Sequence, residues 1–319
     1  MLRTAEFVSP GHPDKLCDRI ADSILDVCLS QDPNTRAAIE VMGGHKLISV
    51  TGEITTEAFV NVQETVRKIV GDNCGVQVNI VRQSPEIANG VNTGGAGDQG
   101  IMIGYACNEN IEMIPHEAYL ARSLNKYLYK KHPYDGKTQV TLKDNEVVAL
   151  VASFQRTKTS DLKNGILEWA KEMKLDVSKA TLHVNPAGEW NVGGFDADTG
   201  VTGRKLAVDN YGPRIPLGGG SFSGKDSTKV DRSGAYMARR IAVDYLKKHN
   251  AKEVFVELAY AIGVPEPVQA TARVDGKEMQ VEGYDLTPQG IIQSLELTKP
   301  IFEATSQWGH FGNGFNWDK

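Results

Sequence analysis

Pairs of strand-like segments alternate with single helical segments three times along the 319 residues of the chain. In the first unit, a helical period follows Pro13, strand-like alternation spans Ala37–Met42 and Lys46–Glu53, and a second helical period runs from Glu57 to Val70. Alternation at every second residue favours a half-buried strand, whereas helical spacing of apolar residues favours an amphipathic helix. The order predicts an α+β fold in which each sheet carries its helices on one face.

The later units follow the same order with unrelated sequences. The other predicted elements are a strand at Val76–Val81, a helix at Pro115–Lys131, a hairpin of Thr138–Lys143 and Glu146–Phe154, a helix from Ser160 to Lys174, a regular segment at Arg204–Val208, a long helix at Lys229–His249, strands at Val254–Ile262 and Val268–Val274, and a helix after Thr287-Pro288. We expect a turn at Gly43-Gly44, Phe59 on a buried helical stripe, and Ser160 as a helix cap.

Composition excludes several classes of protein. The chain has 35 Lys and Arg against 40 Asp and Glu, which argues against a protein that mainly coats nucleic acid or an anionic membrane. The longest apolar stretch, Val147–Phe154, is too short for a membrane-spanning helix, and no secretory signal is visible. The four cysteines form no CxxC pair, and cysteines and histidines lack zinc-ligand spacing. We expect a reduced, cytoplasmic chain.

Glycine is enriched, with 32 residues, and it concentrates at Gly90–Gly104, Gly188–Gly203 and Gly218–Gly224. Such clusters between regular elements indicate backbone that turns tightly or approaches a ligand closely. The third cluster leads into Lys225 and satisfies GxxxxGK, but Asp226 follows where a P-loop has Ser or Thr. We reject the P-loop fold, and we expect the glycine amides to form a polyanion cradle with three cations, Lys225, Lys229 and Arg232. A flexible surface loop is the alternative.

The segment Gly95–Gly100 matches GxGxxG, the pattern of a dinucleotide-binding turn. Such a turn needs a strand before it and a helix after it. Here turn-forming residues precede the glycines and the strand-like Ile101–Ile103 follows them. This order argues against a Rossmann fold.

The start of the first helix places His12, Asp14 and Lys15 together. The positive end of a helix favours anions such as phosphate, and Asp14 could bind Mg²⁺ beside phosphates. A solvated helix start explains the same residues about equally well. Three further aspartates at i+4 spacing are expected on an exposed face: Asp18, Asp22 and Asp26.

The segment Gly193–Gly200 combines carboxylates with the adjacent cations Arg204 and Lys205. These cations suit phosphate, and a carboxylate there could hold an ammonium group or a metal. An ordinary polar loop is the alternative. Glu40 and Glu53 lie in apolar, strand-like surroundings, and exposure on an edge strand is the simpler explanation for each.

No GxSxG motif or other nucleophile-and-base pattern occurs in the sequence. Glycine-rich loops with many cations and few nucleophiles suggest that the chain handles polyphosphate by electrostatics and positioning.

Eight segments, in order along nearly the whole chain, resemble the S-adenosylmethionine synthetase (methionine adenosyltransferase) family. They are Gly11–Lys15, Gly52–Thr55, Gln83–Pro85, Gly95–Gly100, Thr202–Lys205, Gly218–Asp226 with Lys229–Ser233, Tyr260–Val264 and Gly309–Gly312. The resemblance implies three similar α/β domains related by a pseudo-threefold axis, each a sheet with helices on one face. It implies an N-terminal domain at 1–82, an active-site lid at 83–94, a central domain at 95–193 and a C-terminal domain at 194–319.

The family's reaction is attack of the methionine sulfur on C5′ of ATP, with displacement of triphosphate that is then hydrolysed to diphosphate and phosphate. The implied cofactors are two Mg²⁺ per site and K⁺. The implied assembly is a homodimer with active sites at the interface, which can pair into a tetramer, without nucleic acid or membrane partners. A neutral thioether is already nucleophilic, so the difficulty lies in alignment and in the charge of the leaving group.

The resemblance also implies roles for individual residues. The metal ligands would be Asp14 and Asp231 for Mg²⁺ and Glu40 for K⁺. The catalytic residues would be His12, Lys137, Arg204, Lys205 and Lys225. ATP would contact these five together with Asp135, Trp190, Asp198 and Ser221. Methionine would contact Glu53, Gln83, Asp98, Asp198 and Lys229.

Two departures from the family pattern affect the site. The stretch between Gln83 and Asp98, the family's mobile lid, is shorter than in typical bacterial members, and Trp190 stands where the family commonly has Phe against adenine. Two other functions remain to be weighed: a regulatory subunit without turnover, against which the retained cations argue, and a P-loop kinase, against which Asp226 argues.

Overall fold

The computed structural model of the chain describes residues 1–83 and 94–319. The described strands form three four-stranded sheets. The strands are β1 (Leu2–Val8), β2 (Arg36–Gly44), β3 (Leu47–Thr55), β4 (Gly75–Val81), β5 (Gly100–Cys107), β6 (Gly136–Lys143), β7 (Glu146–Phe154), β8 (Thr181–Val184), β9 (Gly200–Val201), β10 (Glu253–Tyr260), β11 (Gln269–Val274) and β12 (Lys277–Gln280).

Each of the three sheets contains one strand that another part of the chain contributes. Their orders are β1-β6-β7-β8, β9-β2-β3-β4 and β5-β10-β11-β12. In each sheet the first strand comes from a different part of the chain from the other three and pairs antiparallel with its neighbour. The strands β3 and β4, and likewise β7 and β8, run parallel, whereas β11 and β12 run antiparallel. The predicted α+β fold with three similar sheet-and-helix domains is confirmed.

The described helices include one long helix for each sheet. The helices are α1 (Pro13–Leu29), α2 (Val62–Val70), α3 (His116–Lys131), α4 (Thr159–Glu172), α5 (Leu206–Asp209), α6 (Val230–His249), α7 (Pro288–Leu295) and α8 (Phe302–Trp308). Helix α1 packs on β2 and β9, α3 on β1 and β6, and α6 on β5 and β10. None of the described helices is long and apolar enough to cross a membrane.

In the described parts of the chain, buried apolar side chains form two clusters. The larger one unites α1 and α6 with the sheets that contain β2 and β10, and the smaller one lies between α3, α4 and the sheet that begins with β1. Helix and sheet approach each other closely at Gly104, where a Cβ would lie 2.0 Å from the Ala238 carbonyl oxygen.

The first hairpin turns at His45 and Lys46, and the expected turn at Gly43-Gly44 is wrong. His45 and Lys46 have φ of 50° and 70°, as a two-residue hairpin turn requires. Gly43 and Gly44 lie in β2 instead, and a Cβ at Gly43 would lie 2.7 Å from the Phe195 ring. These glycines allow the Gly193–Gly200 loop to pack on the strand.

Two other local expectations are also wrong. Helix α2 begins at Val62 after the Asn61 cap, so Phe59 precedes the helix and is 81% exposed. Helix α4 is preceded by Lys158 and has no side-chain cap, so Ser160 does not cap it.

Candidate active site

The N-terminus of α1 is capped by His12. The ring Nδ1 of His12 accepts a hydrogen bond from the Asp14 amide at 3.1 Å, so the proton of the neutral ring is on Nε2. Burial, with the nearby positive charges of Lys205 and Lys137, lowers the pKa of His12 to about 4. His12 is therefore a neutral side chain that can donate a hydrogen bond from Nε2.

Asp14 is fully buried and accepts hydrogen bonds from a single loop, the one that follows Gly200. Its Oδ1 accepts from the Val201 amide and from Arg204 Nε, both at 2.9 Å, and its Oδ2 accepts from Lys205 Nζ at 2.6 Å. Burial raises the pKa of Asp14, but the bonds from Lys205 and Val201 outweigh it and hold the pKa below its ordinary value. Gly200 makes the approach possible, since a Cβ there would lie 2.2 Å from the Pro13 carbonyl oxygen.

The expected exposed face of α1 is wrong, because its aspartates are bound to backbone amides. Asp18 and Asp22 are buried, and Asp26 is half-buried. Asp18 accepts from the Gly203 amide and Asp22 from the Gly224 amide, each at 2.8 Å, and Asp26 accepts from two amides at the start of α8. Glycine-rich loops leave amides without secondary-structure partners, and this stripe of carboxylates supplies acceptors for them.

Lys15 and Arg232 also differ from expectation. Lys15 points inward and pairs with the buried Asp209, so its amine does not belong to the anion site. Arg232 is fully buried against Asp22, so it does not line a polyanion cradle.

The first cluster consists of His12, Asp14, Arg204 and Lys205. The loop after α3 lies beside it, since a Cβ at Gly11 would lie 2.9 Å from the Asp135 backbone nitrogen. Asp135 is buried, its Oδ2 accepts from the Gly194 amide at 3.0 Å, and burial raises its pKa. Lys137 lies next to it at the start of β6. Trp190 Nε1 donates to Ser153 Oγ at 3.1 Å, whereas Asp198 is exposed and accepts from the Thr199 amide.

A second cluster surrounds a cleft of about 650 Å³. The cleft is lined by Asp98, Gln99, Gly100, Ile101, Gly218, Gly219, Gly220, Lys225, Asp231, Ala259, Tyr260 and Ala261. Lys225 Nζ donates to Asp231 Oδ2 at 2.8 Å, and a Cβ at Gly220 would lie 2.5 Å from the Asp231 Cγ. Lys229, at the start of α6, pairs with Asp226.

The two clusters adjoin, because their loops touch. A Cβ at Gly203 would lie 2.5 Å from the Ser221 Cβ, which places Ser221 directly against the loop of Arg204 and Lys205. Both loops are also anchored on α1, one through Asp18 and the other through Asp22. The loops that carry Arg204, Lys205 and Lys225 are therefore both bonded to the same helix.

Glu40 and Glu53 are not on edge strands, so that part of the explanation is wrong, although Glu40 is exposed and Glu53 is half-buried. They lie on β2 and β3, the two inner strands of their sheet. Partial desolvation raises the pKa of Glu40, and the charge of Lys225 lowers it. Glu53 lies opposite Ala38, which itself forms a bridge with Lys225.

The predicted lid lies largely outside the described residues. Gln83, its first residue, donates its backbone amide to Thr55 Oγ1 at 3.3 Å. Gly95–Gly100 leads into β5, as expected for a chain that is not a Rossmann fold.

Among the residues that the structure describes, the candidate metal ligands are single carboxylates. Within residues 1–83 and 94–319, no group of three or more His, Cys, Asp or Glu is arranged to hold a metal ion. Asp14 and Asp231 each stand beside cations rather than beside other carboxylates. Mg²⁺ commonly binds through one or two carboxylates and substrate phosphates, so the donor set fits Mg²⁺ that arrives with a polyphosphate.

Two adjoining sets of cationic side chains on glycine-rich loops, with a neutral histidine and two isolated carboxylates, have the chemistry that suits a polyphosphate. Sequence reasoning missed the loop-anchoring roles of Asp18 and Asp22 and the role of Asp226, which accepts a hydrogen bond from the Ala37 amide at 2.7 Å. The i+4 spacing of the aspartates on α1 is visible in the sequence, but this spacing does not show whether they face solvent or the protein interior.

Comparison with known proteins identifies the class. Models of the N-terminal, central and C-terminal domains of S-adenosylmethionine synthetase match residues 1–85, 93–190 and 192–319. The chain belongs to the S-adenosylmethionine synthetase family, whose enzymes are methionine adenosyltransferases that act on ATP and methionine and use metal ions.

Its relatives include proteins named S-adenosylmethionine synthase from three bacteria. The identity is 39% to that of Brachyspira hyodysenteriae, 40% to that of a Sulfurovum species and 37% to that of a Nitratiruptor species. These matches cover 99%, 99% and 100% of this chain and 95% of each relative. The first alignment spans 374 positions against 319 residues here, so that relative contains segments that this chain lacks.

Proposed function

We propose that this chain makes S-adenosyl-L-methionine from ATP and L-methionine by attack of the sulfur on C5′, with displacement of triphosphate and its hydrolysis to diphosphate and phosphate. The observation that carries the proposal is the convergence of Arg204, Lys205 and Lys225 on loops anchored to one helix. The family membership supports the same substrates.

The residues suit a displacement in which no proton has to be removed from the nucleophile. A thioether sulfur attacks without a general base, and the lowered pKa of His12 keeps its ring uncharged. His12 would donate from Nε2 to the oxygen that joins ribose and triphosphate as that oxygen gains charge. The cations would stabilise the leaving triphosphate, which is where charge develops.

Arg204 and Lys205 can exchange partners when a polyphosphate binds. Both donate to Asp14, and phosphate oxygens would compete for the same donors. Asp14 would then be available as a metal ligand. We propose Asp14 and Asp231 as the ligands of two Mg²⁺, which would neutralise phosphate charge, and Glu40 as the K⁺ ligand.

The remaining proposed contacts come from the resemblance to the family. ATP would contact Asp135, Lys137, Trp190, Asp198 and Ser221, with the Trp190 ring against adenine. Methionine would lie near the cleft that contains Asp98, and its further contacts would be Glu53, Gln83, Asp198 and Lys229. We further propose domain boundaries at 1–82, 83–94, 95–193 and 194–319, a homodimer with sites at its interface, and a cytoplasmic location.

The test is mass spectrometry of the products formed from ATP, methionine, Mg²⁺ and K⁺, with parallel assays of phosphate and diphosphate. S-adenosylmethionine with both inorganic products supports the full two-step reaction. S-adenosylmethionine with free triphosphate would remove the hydrolysis step from the proposal. ATP binding without any S-adenosylmethionine would contradict the proposal and favour a regulatory subunit.

A further inference from the structure

A fully buried ion pair lies behind the cleft that contains Lys225. It joins Asp22 of α1 to Arg232 of α6, with Nη1–Oδ1 at 2.7 Å and Nη2–Oδ2 at 2.9 Å. Neither side chain is accessible to solvent. The pair therefore cannot touch substrate, and its effect on the site must act through its neighbours.

The pair holds the backbone on both sides of the Gly224–Lys225 peptide. Asp22 Oδ1 accepts from the Gly224 amide at 2.8 Å, and Arg232 Nη1 donates to the Lys225 carbonyl oxygen at 3.0 Å. The opposite edge of this segment is bonded to β2, where the Ile39 amide donates to the Gly224 carbonyl at 3.1 Å. The backbone of Lys225 is thus held from two directions.

Arg232 is saturated with acceptors. Its Nη1 donates to Asp22 and the Lys225 carbonyl, its Nη2 donates to Asp22 and Thr305 Oγ1, and its Nε donates to Tyr236 Oη. A guanidinium has five N–H donors in a rigid fork, and each has an acceptor here. A lysine could keep the charge but could not make this set of bonds.

We propose that Asp22 and Arg232 are positioning residues that set the Lys225 ammonium against Asp231 and the cleft. The inference rests on the proposed function, in which Lys225 binds the triphosphate. According to this proposal, a buried ion pair affects turnover although neither of its side chains contacts substrate. Loss of the pair would leave Lys225 in the chain but let its ammonium move from the place where the triphosphate forms.

The chain offers a matched control on the same helix. Arg239, two turns after Arg232 on α6, forms a buried pair with Asp318 at 2.9 Å and donates to the Tyr105 carbonyl. Asp318 accepts from amides near the C-terminus. Asp318→Asn therefore disrupts a comparable buried pair that contacts none of the proposed site residues.

The experiment compares Asp22→Asn, Asp318→Asn and Lys225→Met with the wild type, together with the double variant of Asp22 and Lys225. The readouts are kcat and KM for ATP, and the affinity for inorganic tripolyphosphate by calorimetry, at a temperature where circular dichroism shows each protein folded. We expect Asp22→Asn to lower kcat by about 100-fold, the loss typical of a group displaced by an ångström. Asp318→Asn should lower kcat by less than about threefold.

In the Lys225→Met background, Asp22→Asn should cause no further loss of kcat or tripolyphosphate affinity, because the group that it positions is gone. Equal losses in the Asp22 and Asp318 variants would overturn the proposal, and so would an undiminished effect of Asp22→Asn in the Lys225→Met protein. Should Asp22→Asn fail to fold, Arg232→Lys replaces it in the same cycle, with the same expected loss.

The two proposals fail in different ways. A wild-type protein that forms no S-adenosylmethionine contradicts the proposed function. The tripolyphosphate affinities of the same proteins then still decide whether Asp22 acts through Lys225.

Discussion

Asp18 is the carboxyl group for which the structure makes the strongest pH-dependent prediction. Asp18 and Asp209 are both buried near the ammonium group of Lys15. Lys15 bonds Asp209, which leaves Asp18 with the Gly203 amide as its hydrogen-bond donor. Burial, opposed by the charge of Lys15, raises the pKa of Asp18 to about 8. Asp18 should therefore keep its proton at neutral pH.

The sign follows from proton linkage. The unfolded chain releases the Asp18 proton near its ordinary pKa of 3.8, whereas the folded chain holds it until about pH 8. Between these values the unfolded state binds fewer protons, so the free energy of unfolding falls as the pH rises. At about 1.36 kcal/mol per pH unit, the loss from pH 4 to pH 8 amounts to about 5 kcal/mol. This is comparable to the whole stability of many domains.

The perturbation is Asp18→Asn, which cannot ionise but keeps an oxygen for the Gly203 amide. The assay is chemical denaturation of wild type and variant at several values between pH 4 and pH 8. The variant should become more stable relative to wild type by about 5 kcal/mol across this range, since only the wild type loses stability through this group.

Asp209→Asn is the control, because it removes the negative charge that pairs with Lys15 and should destabilise the protein throughout the range. A stability difference between wild type and Asp18→Asn that does not change between pH 4 and pH 8 would refute the reasoning. It would mean that Asp18 is already ionised in the folded chain at the start of the range.

Three further outcomes can be measured. Lys225→Ala should lower kcat by about 100-fold or more while circular dichroism stays unchanged, because a charge that stabilises the leaving triphosphate is lost; near-normal turnover would remove Lys225 from the catalytic residues. Gly104→Ala should lower the stability by about 3 kcal/mol in thermal melting, since its Cβ would lie 2.0 Å from the Ala238 carbonyl oxygen; an unchanged melting temperature would contradict the tight contact. Chelation of metal should abolish activity reversibly without changing the melting temperature, because Arg204 and Lys205 already neutralise Asp14.

The elements that arise from local periodicity could be predicted from the sequence. The apolar spacing after Pro13 predicts α1, and the alternation around Asp144-Asn145 predicts the β6–β7 hairpin. Both signals depend on residues that are near in sequence. The boundaries that failed, at Phe59 and Ser160, depend on capping and exposure, which local periodicity does not determine.

The residue types of the candidate site were also visible in the sequence. The glycine clusters mark loops that approach other backbone closely, and Gly200, Gly203 and Gly224 are positions where a Cβ would collide with a neighbour. The cations on these loops pointed to polyphosphate from their residue types and spacing alone. Ordered motifs along the chain were sufficient to indicate the family.

Only the tertiary structure shows which parts of the chain share a sheet and what each charged side chain faces. The pairing of β1 with β6, of β5 with β10 and of β9 with β2 joins residues that lie far apart in sequence. The same separation explains why the predictions for Asp22 and Arg232 were wrong. Their positions along the chain fit an exposed side chain as well as a buried one. Their burial is favourable only because each finds the other and the Gly224–Lys225 backbone, and these partners come together only when the three sheets are assembled.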